Sequence, residues 1–408
     1  MNRLLPIPPA ERIQELDVLR GVGILGILLM NIQAFSMIEA AYINPMAYGD
    51  MNGLNKWVWI IIHIFADQKF ITIFSMLFGA GIVIMAERAT AKGLKPVTFH
   101  YRRTIWLLIF GLAHAYLLWH GDILVTYAIS ALWVYLFCNR EPRILLIWAG
   151  IFILIPALLY LASGVSMPSW PEDTVRNTLH SWLPDADIVT KEITAYRGGW
   201  IAQMEARVPS SLAFQTFLYV FLFGWRTTGV MLLGMALYKW GILTGKRRRS
   251  WYRTMALAGM LVGVPLIIIG VIKNFNANWD VHYSMFLGWQ FNYWGSLGMA
   301  LAYVALIILW AQSGFGQKIR HLLATVGRTA FSNYLLQTLI CTTLFYGHGF
   351  GLFGKIDRIG QLVIVIGIWI FQLIATAFWV KYFRFGPAEW LWRSLTYGKM
   401  QPLKGIPG

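Results

Sequence analysis

Ten apolar runs, each close to the roughly 20 residues that cross a hydrocarbon core, recur along this chain. They lie near 18–38, 57–85, 103–119, 122–138, 143–162, 214–240, 252–272, 285–310, 326–346 and 359–381. Lipid offers the backbone no hydrogen-bond partner, so runs of this length are expected to fold as helices. The expected fold is therefore all-α: a polytopic integral membrane helical bundle of about ten transmembrane helices, with the lipid bilayer as its first partner. A composition of 58% hydrophobic and only 13% charged residues excludes an ordinary soluble domain of 408 residues.

The net charge of +16 suggests nucleic acid at first sight, but its distribution has a topological cause. With the N-terminus inside, 24 of the 34 lysines and arginines fall on cytoplasmic stretches, as the positive-inside rule requires, and the opposite orientation inverts that ratio. Both termini are then cytoplasmic and no nucleic-acid partner is called for. The first apolar run lacks a small-x-small exit and reads as a retained span rather than a cleaved leader. Cys138 and Cys341 fall at different depths and are not expected to bridge.

The longest stretch outside the spans, 164–213, divides the chain into five-helix halves, 1–163 and 214–408. It reads either as an extracytoplasmic lid of short helices or as a plain connector. In the tail, Glu389 and Arg393 stand at i,i+4 beside Trp390 and Trp392, which predicts an amphipathic helix in the inner interface.

Ionisable groups at membrane depth are costly and mark candidate function. Asp17 and Arg20, at i,i+3, form a rim pair that could hold donor phosphates or serve as cap and orientation signal. Asn31, eleven residues further, returns to within roughly 20° of Arg20 and about 16 Å along the axis. Its amide could stabilise an oxyanion or glue two helices. His63 and Asp67, one turn apart and followed by Lys69, suit a general base or a buried hydrogen-bonded pair in which Lys69 neutralises Asp67. The corner His114 to Asp122 gathers two imidazoles, His114 and His120, with a carboxylate; Asp122 could equally cap the next helix. Arg226 needs a counter-charge, either Asp67 or an anionic substrate. Arg328, Ser332, Asn333 and Gln337 form a polar stripe that reads as interhelical hydrogen bonding. The small residues of Phe74-Ser-Met-Leu-Phe-Gly-Ala-Gly81 read as close helix packing. No familiar zinc-ligand spacing occurs, so no metal is expected.

The leader Arg12-Ile-x-x-Leu-Asp-Val-Leu-Arg-Gly21 with Asn31, the run Lys69-Phe to Gly81, Gly121-Asp-Ile-Leu124, Gly327-Arg-Thr-Ala-Phe-Ser-Asn-Tyr-Leu-Leu-Gln337, and Phe383-Arg-Phe-Gly-Pro-x-Glu-Trp-Leu-Trp-Arg-x-Leu-Thr-Tyr-Gly398 resemble the YeiB family of bacterial inner-membrane proteins over nearly the whole chain. That resemblance implies a multi-pass protein of the bacterial inner membrane. More distantly, Leu16-Asp17-x-x-Arg20-Gly21 with Asn31, and Ala66-Asp67 before Phe78-Gly-x-Gly81, are similar to the transmembrane acyltransferases typified by heparan-α-glucosaminide N-acetyltransferase. This second resemblance implies acetyl-CoA on one side, an acceptor on the other, Asn31 on a catalytic asparagine, and Asp17, Arg20 and Asp67 on its polar framework. The relative's histidine soon after the first span has no counterpart in 39–56.

The expectation is acyl transfer from cytosolic acyl-CoA, acetyl-CoA above all, to a hydroxyl or amine acceptor, a glycan or lipid, on the extracytoplasmic side. Arg20, with Asp17, Arg226 and Arg328, would hold the donor. Asn31 would stabilise the oxyanion, and His63, His114 or His120, paired with Asp67 or Asp122, would act as base. A homodimer is compatible with the sequence. The competing expectation is a transporter of a small solute, with His63, Asp67, Lys69 and Arg226 along its path; a non-catalytic scaffold is a third.

Overall fold

The computed structural model describes residues 12–404. The helices in chain order are α1 Gln14–Ser36, α2 Ala40–Ile43, α3 Gly53–Phe65, α4 Lys69–Ala91, α5 Pro96–Leu117, α6 Leu124–Val134, α7 Pro142–Ser166, α8 Glu172–Trp182, α9 Ala186–Arg197, α10 Trp200–Gln215, α11 Gly224–Lys239, α12 Arg249–Asn276, α13 Trp289–Gln312, α14 Gln317–Arg328, α15 Ala330–Phe345, α16 Arg358–Tyr382 and α17 Pro387–Tyr397. Among the described residues there is no strand beyond an isolated bridge between Phe383 and Lys404.

Among the described residues the fold is all-helical, and seven stretches are long and apolar enough to cross a membrane: Gln14–Ser36, Gly53–Ala91, Pro142–Ser169, Trp200–Lys239, Arg249–Asn276, His282–Gln312 and Arg358–Tyr382. The other three expected segments are helical but poorer candidates. α5 carries His100, Arg102, Arg103 and His114, α6 has 11 residues before a 3-10 turn, and α15 has 16, about 24 Å against a core of about 30 Å.

Two expected spans are interrupted. The 57–85 run belongs to a 39-residue stretch, about 58 Å if straight, and it breaks between α3 and α4, where Gln68 takes a left-handed φ of 63°. The 326–346 run is divided at Thr329, where α14 ends and α15 begins. The 164–213 stretch is ordered into α8, α9 and most of α10.

Small residues set the helix contacts. A Cβ on Gly79 would stand 2.0 Å from the Met231 carbonyl oxygen, and one on Gly234 2.0 Å from that of Met76, so α4 and α11 touch backbone to backbone. Gly81, expected to pack likewise, instead faces open space. α1 is enclosed by α4, α14, α15 and α16. The tail departs from the interfacial expectation: Glu389 is buried and bonds to the start of α15, with no ion pair to Arg393. Cys138 and Cys341 are both buried and free.

Candidate functional site

The rim is built where α1 crosses α14. A Cβ on Gly327 would lie 1.8 Å from the Asp17 carbonyl oxygen, and one on Gly21 2.0 Å from that of Leu323, so only glycine permits this approach. The crossing brings Arg328 into the company of Arg12, Asp17 and Arg20. Arg20 Nη1 donates to Asp17 Oδ1 at 2.8 Å. From the opposite side, Glu389 accepts the N–H groups of Phe331 at 2.7 Å and Ser332 at 3.1 Å, and also the Ser332 hydroxyl. These are first-turn donors of α15 that have no partner within their own helix. Docked this way, α17 places Arg393 on the rim and Trp392 under the Arg103 guanidinium, 4.6 Å from the ring centre.

Between these elements lies a cavity of about 450 Å³. Among the described residues, Arg12, Arg20, Arg88, Lys92, Arg103, Arg328 and Arg393 line it together with three carboxylates, Asp17, Glu87 and Glu389. Burial, with Arg328 nearby, lowers the Arg12 guanidinium to about 10, so it remains cationic at neutral pH. So many like charges in one concavity form a focused positive field suited to a polyanion. Further in, the lining turns apolar and aromatic, with Ile24, Phe74, Leu107, Leu124, Tyr127 and Tyr334.

The deep wall of Ile123, Leu124 and Tyr334 is backed by an ordered pair. His114 Nδ1 lies 2.8 Å from Asp122 Oδ1, its Nε2 lies 2.9 Å from Thr338 Oγ1, and its ring is 5.1 Å from that of Tyr334. Asp122 Oδ2 accepts the Val125 N–H at 2.7 Å, so this carboxylate caps α6 and fixes the imidazole at once. Tyr334 Oη accepts the Ile123 N–H at 3.4 Å.

Five other sequence candidates, Asn31, His120, Arg226, His63 and Asp67, stand elsewhere. Asn31 is half-buried on α1, outside the cavity lining, which on this helix ends at Ile24, about 10 Å lower along the axis. The lining on α1 therefore stops short of Asn31. His120 is buried outside the lining, with Nδ1 3.1 Å from Tyr196 Oη. Arg226, expected with the donor, lies in a separate cluster. Its guanidinium donates to the Tyr293 carbonyl at 3.2 Å and Ser296 Oγ at 2.8 Å, and covers the Tyr293 ring at 4.1 Å. It has neutral oxygens as partners, not Asp67.

In that second cluster His63 Nδ1 is 3.1 Å from Asp67 Oδ2. Lys69, fully buried, does not pair directly with Asp67. It donates to Asn292 Oδ1 at 2.6 Å and the His63 carbonyl at 2.7 Å, while Asn292 Nδ2 reaches Asp67 Oδ2 at 2.7 Å. An amide thus mediates the neutralisation expected of Lys69. The polar stripe of 328–337 also divides. Gln337 bonds the Ile24 carbonyl and Gln372, and Gln372 bonds Asn333, which is helix glue. Ser332 serves Glu389, and Arg328 serves the cavity.

Arg12, Arg103, Arg393, Tyr334 and Thr338 were not singled out as site residues by sequence reasoning. The tail Phe383 to Gly398, which carries part of the family resemblance, is the one sequence signal near Arg393. Among the described residues no three His, Cys, Asp or Glu side chains gather as metal ligands would.

Comparison with known proteins places the chain among bacterial relatives. A family described as "Protein of unknown function (DUF418)" matches residues 237–399. The chain is 34% identical to the uncharacterized protein YeiB of Escherichia coli (strain K12), over 95% of this chain and 96% of that one. It is 31% identical to the uncharacterized protein YxaH of Bacillus subtilis (strain 168), over 99% and 98% respectively. An uncharacterized 39.9 kDa protein from the amylase 3' region of Bacillus acidopullulyticus is 27% identical over 98% and 97%. No solved structure matches.

Proposed function

The chain belongs to the YeiB family, and from that premise we propose that it is a transmembrane acyltransferase of the bacterial inner membrane, with both termini and the cavity mouth in the cytoplasm. The observation that carries this reading is the continuity of the cavity. A cationic rim leads through an apolar passage to a wall backed by a carboxylate-fixed histidine.

In this reading cytosolic acyl-CoA, acetyl-CoA being the simplest, sets its phosphates among Arg12, Arg20, Arg328 and Arg393, where bidentate charge-assisted hydrogen bonds form. The pantetheine arm fills the passage and brings the thioester to Tyr334 and Ile123. The acceptor hydroxyl or amine takes the place of Thr338 at His114 Nε2, loses its proton there, and bonds to the thioester carbon. Tyr334 Oη, which accepts from Ile123 N–H, keeps its own hydrogen for the oxyanion. The carbon–sulfur bond then breaks, and the His114 imidazolium returns the proton to the departing thiolate. His63 and His120 lie off this path, and Asn31, above the deep wall, falls to the acceptor side. The acceptor class is a glycan or lipid.

Calorimetric titration of acetyl-CoA into the detergent-purified protein tests the donor half. Saturable binding is expected, weakened about tenfold or more by Arg20→Ala or Arg393→Gln. No binding to folded wild-type protein would move the reading to transport of a small solute. One observation favours that second reading: the α3–α4 helix breaks at Asp67, as discontinuous helices of transporters do at their sites.

A further inference from the structure

A second basic concavity lies on the outer surface of the bundle, in the groove between α14 and the last turns of α16. Lys318, His321 and Arg328 come from or end α14, and Lys381 comes from α16. The floor is Leu322, Thr325, Ala377 and Val380, and no carboxylate among the described residues lines it. Lys318, His321 and Lys381 are exposed, and their side chains make no hydrogen bond or ion pair among the described residues. Arg328, which lines both this groove and the cavity, has its Nε buried without a hydrogen-bond partner among the described residues. Scattered rim cations would orient the protein without converging. These four groups converge on one groove, and a buried unpaired guanidinium nitrogen calls for an acceptor.

The surroundings name the kind of acceptor. Along the same face of α16, Ile374 is 66% exposed and Phe378 61%, and on α14 Ile319 is 57% exposed. Such side chains mark a surface that lipid tails cover. A charged pocket opening onto a lipid-facing apolar wall fits a molecule with an anionic head and two hydrocarbon tails.

We propose that the α14–α16 groove is a binding site for an anionic phospholipid. Its phosphate is held by Lys318, His321, Arg328 and Lys381, and its acyl chains lie over Ile374, Phe378 and Ile319. The groove and the cavity share Arg328, and the other groove residues, Lys318, His321 and Lys381, do not line the cavity, so the proposal does not rest on the acyl-transfer reading.

The test is native mass spectrometry of the full chain titrated with dioleoyl phosphatidylglycerol or dioleoyl phosphatidylcholine. Wild type, a Lys318→Gln/Lys381→Gln double variant, and a control pair that removes two rim cations elsewhere, Lys95→Gln/Lys399→Gln, are compared. Arg328 is left intact because it also lines the cavity. The expected result is a discrete phosphatidylglycerol adduct on wild type and on the control pair. In the groove variant its affinity falls about 30-fold, from roughly 1 kcal/mol for each lysine near a lipid phosphate. A large molar excess of inorganic phosphate should leave that adduct in place. Equal affinity of the groove variant and wild type would overturn the proposal, as would equal binding of the two lipids. Displacement by inorganic phosphate would overturn it in favour of a free-anion site. Thermal melts of all three proteins establish that loss of the adduct is not loss of fold.

Discussion

Asp122 holds His114 Nδ1 at 2.8 Å through one carboxylate oxygen and caps α6 through the other, so one side chain joins local folding to the orientation of an imidazole. The two roles separate under Asp122→Asn, because asparagine caps a helix about as well as aspartate but cannot supply the charge that steadies an imidazolium. The expected outcome is a near-normal melting temperature with thiol release from acyl-CoA slowed by roughly 10²-fold or more. His114→Ala should lose at least as much rate, whereas His63→Ala should retain most of it. Full turnover in Asp122→Asn would reduce this carboxylate to a helix cap.

The α1–α14 crossing sets the floor of the rim, and it leaves no room for a methyl group. Gly327→Ala would drive its Cβ to 1.8 Å from the Asp17 carbonyl oxygen, and Gly21→Ala to 2.0 Å from that of Leu323. Each should cost about 1–3 kcal/mol as the helices part, seen as a lowered melting temperature. Donor binding should fall with it, since Arg20 and Arg328 move away from each other. Gly150→Ala, with nothing within 4 Å of the added carbon, is the matched control and should melt like wild type.

The bundle was legible because lipid imposes one rule on every span, and that rule is written in the apolar runs themselves. Where the reading missed, the missing information was three-dimensional. Nothing in the sequence around 57–85 announces the left-handed Gln68 that splits the run, because glutamine carries no turn signal. Asn31 shares a helix face with Arg20, but face-sharing alone does not show that the cavity ends at Ile24. His114 and Asp122 were visible as a pair from their spacing. Their position behind Tyr334 depends on α15, more than 200 residues away in the chain. Glu389 and Arg393 looked like an i,i+4 surface pair, and only the packing of α17 shows that the glutamate turns inward.

Glu389 is a cap supplied from 57 and 58 residues away, and its removal should show how far α15 relies on it. With Glu389→Ala the Phe331 and Ser332 amides lose a charged acceptor in a site that offers them no other protein partner. A loss of about 1.5–3 kcal/mol is expected, the range for hydrogen bonds to a charged group. Glu389→Gln, which keeps one acceptor oxygen, should recover part of it. Because α17 also carries Arg393 to the rim, acetyl-CoA affinity should fall in the alanine variant more than in the glutamine variant. A melting temperature unchanged in both would mean that α17 docks without this contact.

Outside the spans, Glu192 on α9 accepts the Glu39 N–H at 2.9 Å, and Ser210 ties the Glu39 carboxylate from α10 at 2.9 Å. Burial pushes the Glu192 carboxyl up to about 7, with the neighbouring Glu39 carboxylate adding to the rise against the lowering effect of that N–H. Between its ordinary value of 4.5 and about 7, the folded protein keeps a proton that the unfolded chain has released. Stability contributed by this group is therefore full below 4.5, declines as the pH rises through that window, and is level above it. Thermal melts from pH 5 to pH 8 should show this decline in wild type. Glu192→Gln, whose amide oxygen can still accept the Glu39 N–H, should melt higher than wild type at pH 8 and lose that part of the slope. A Glu192→Gln profile parallel to wild type across the window would place the titrating group elsewhere.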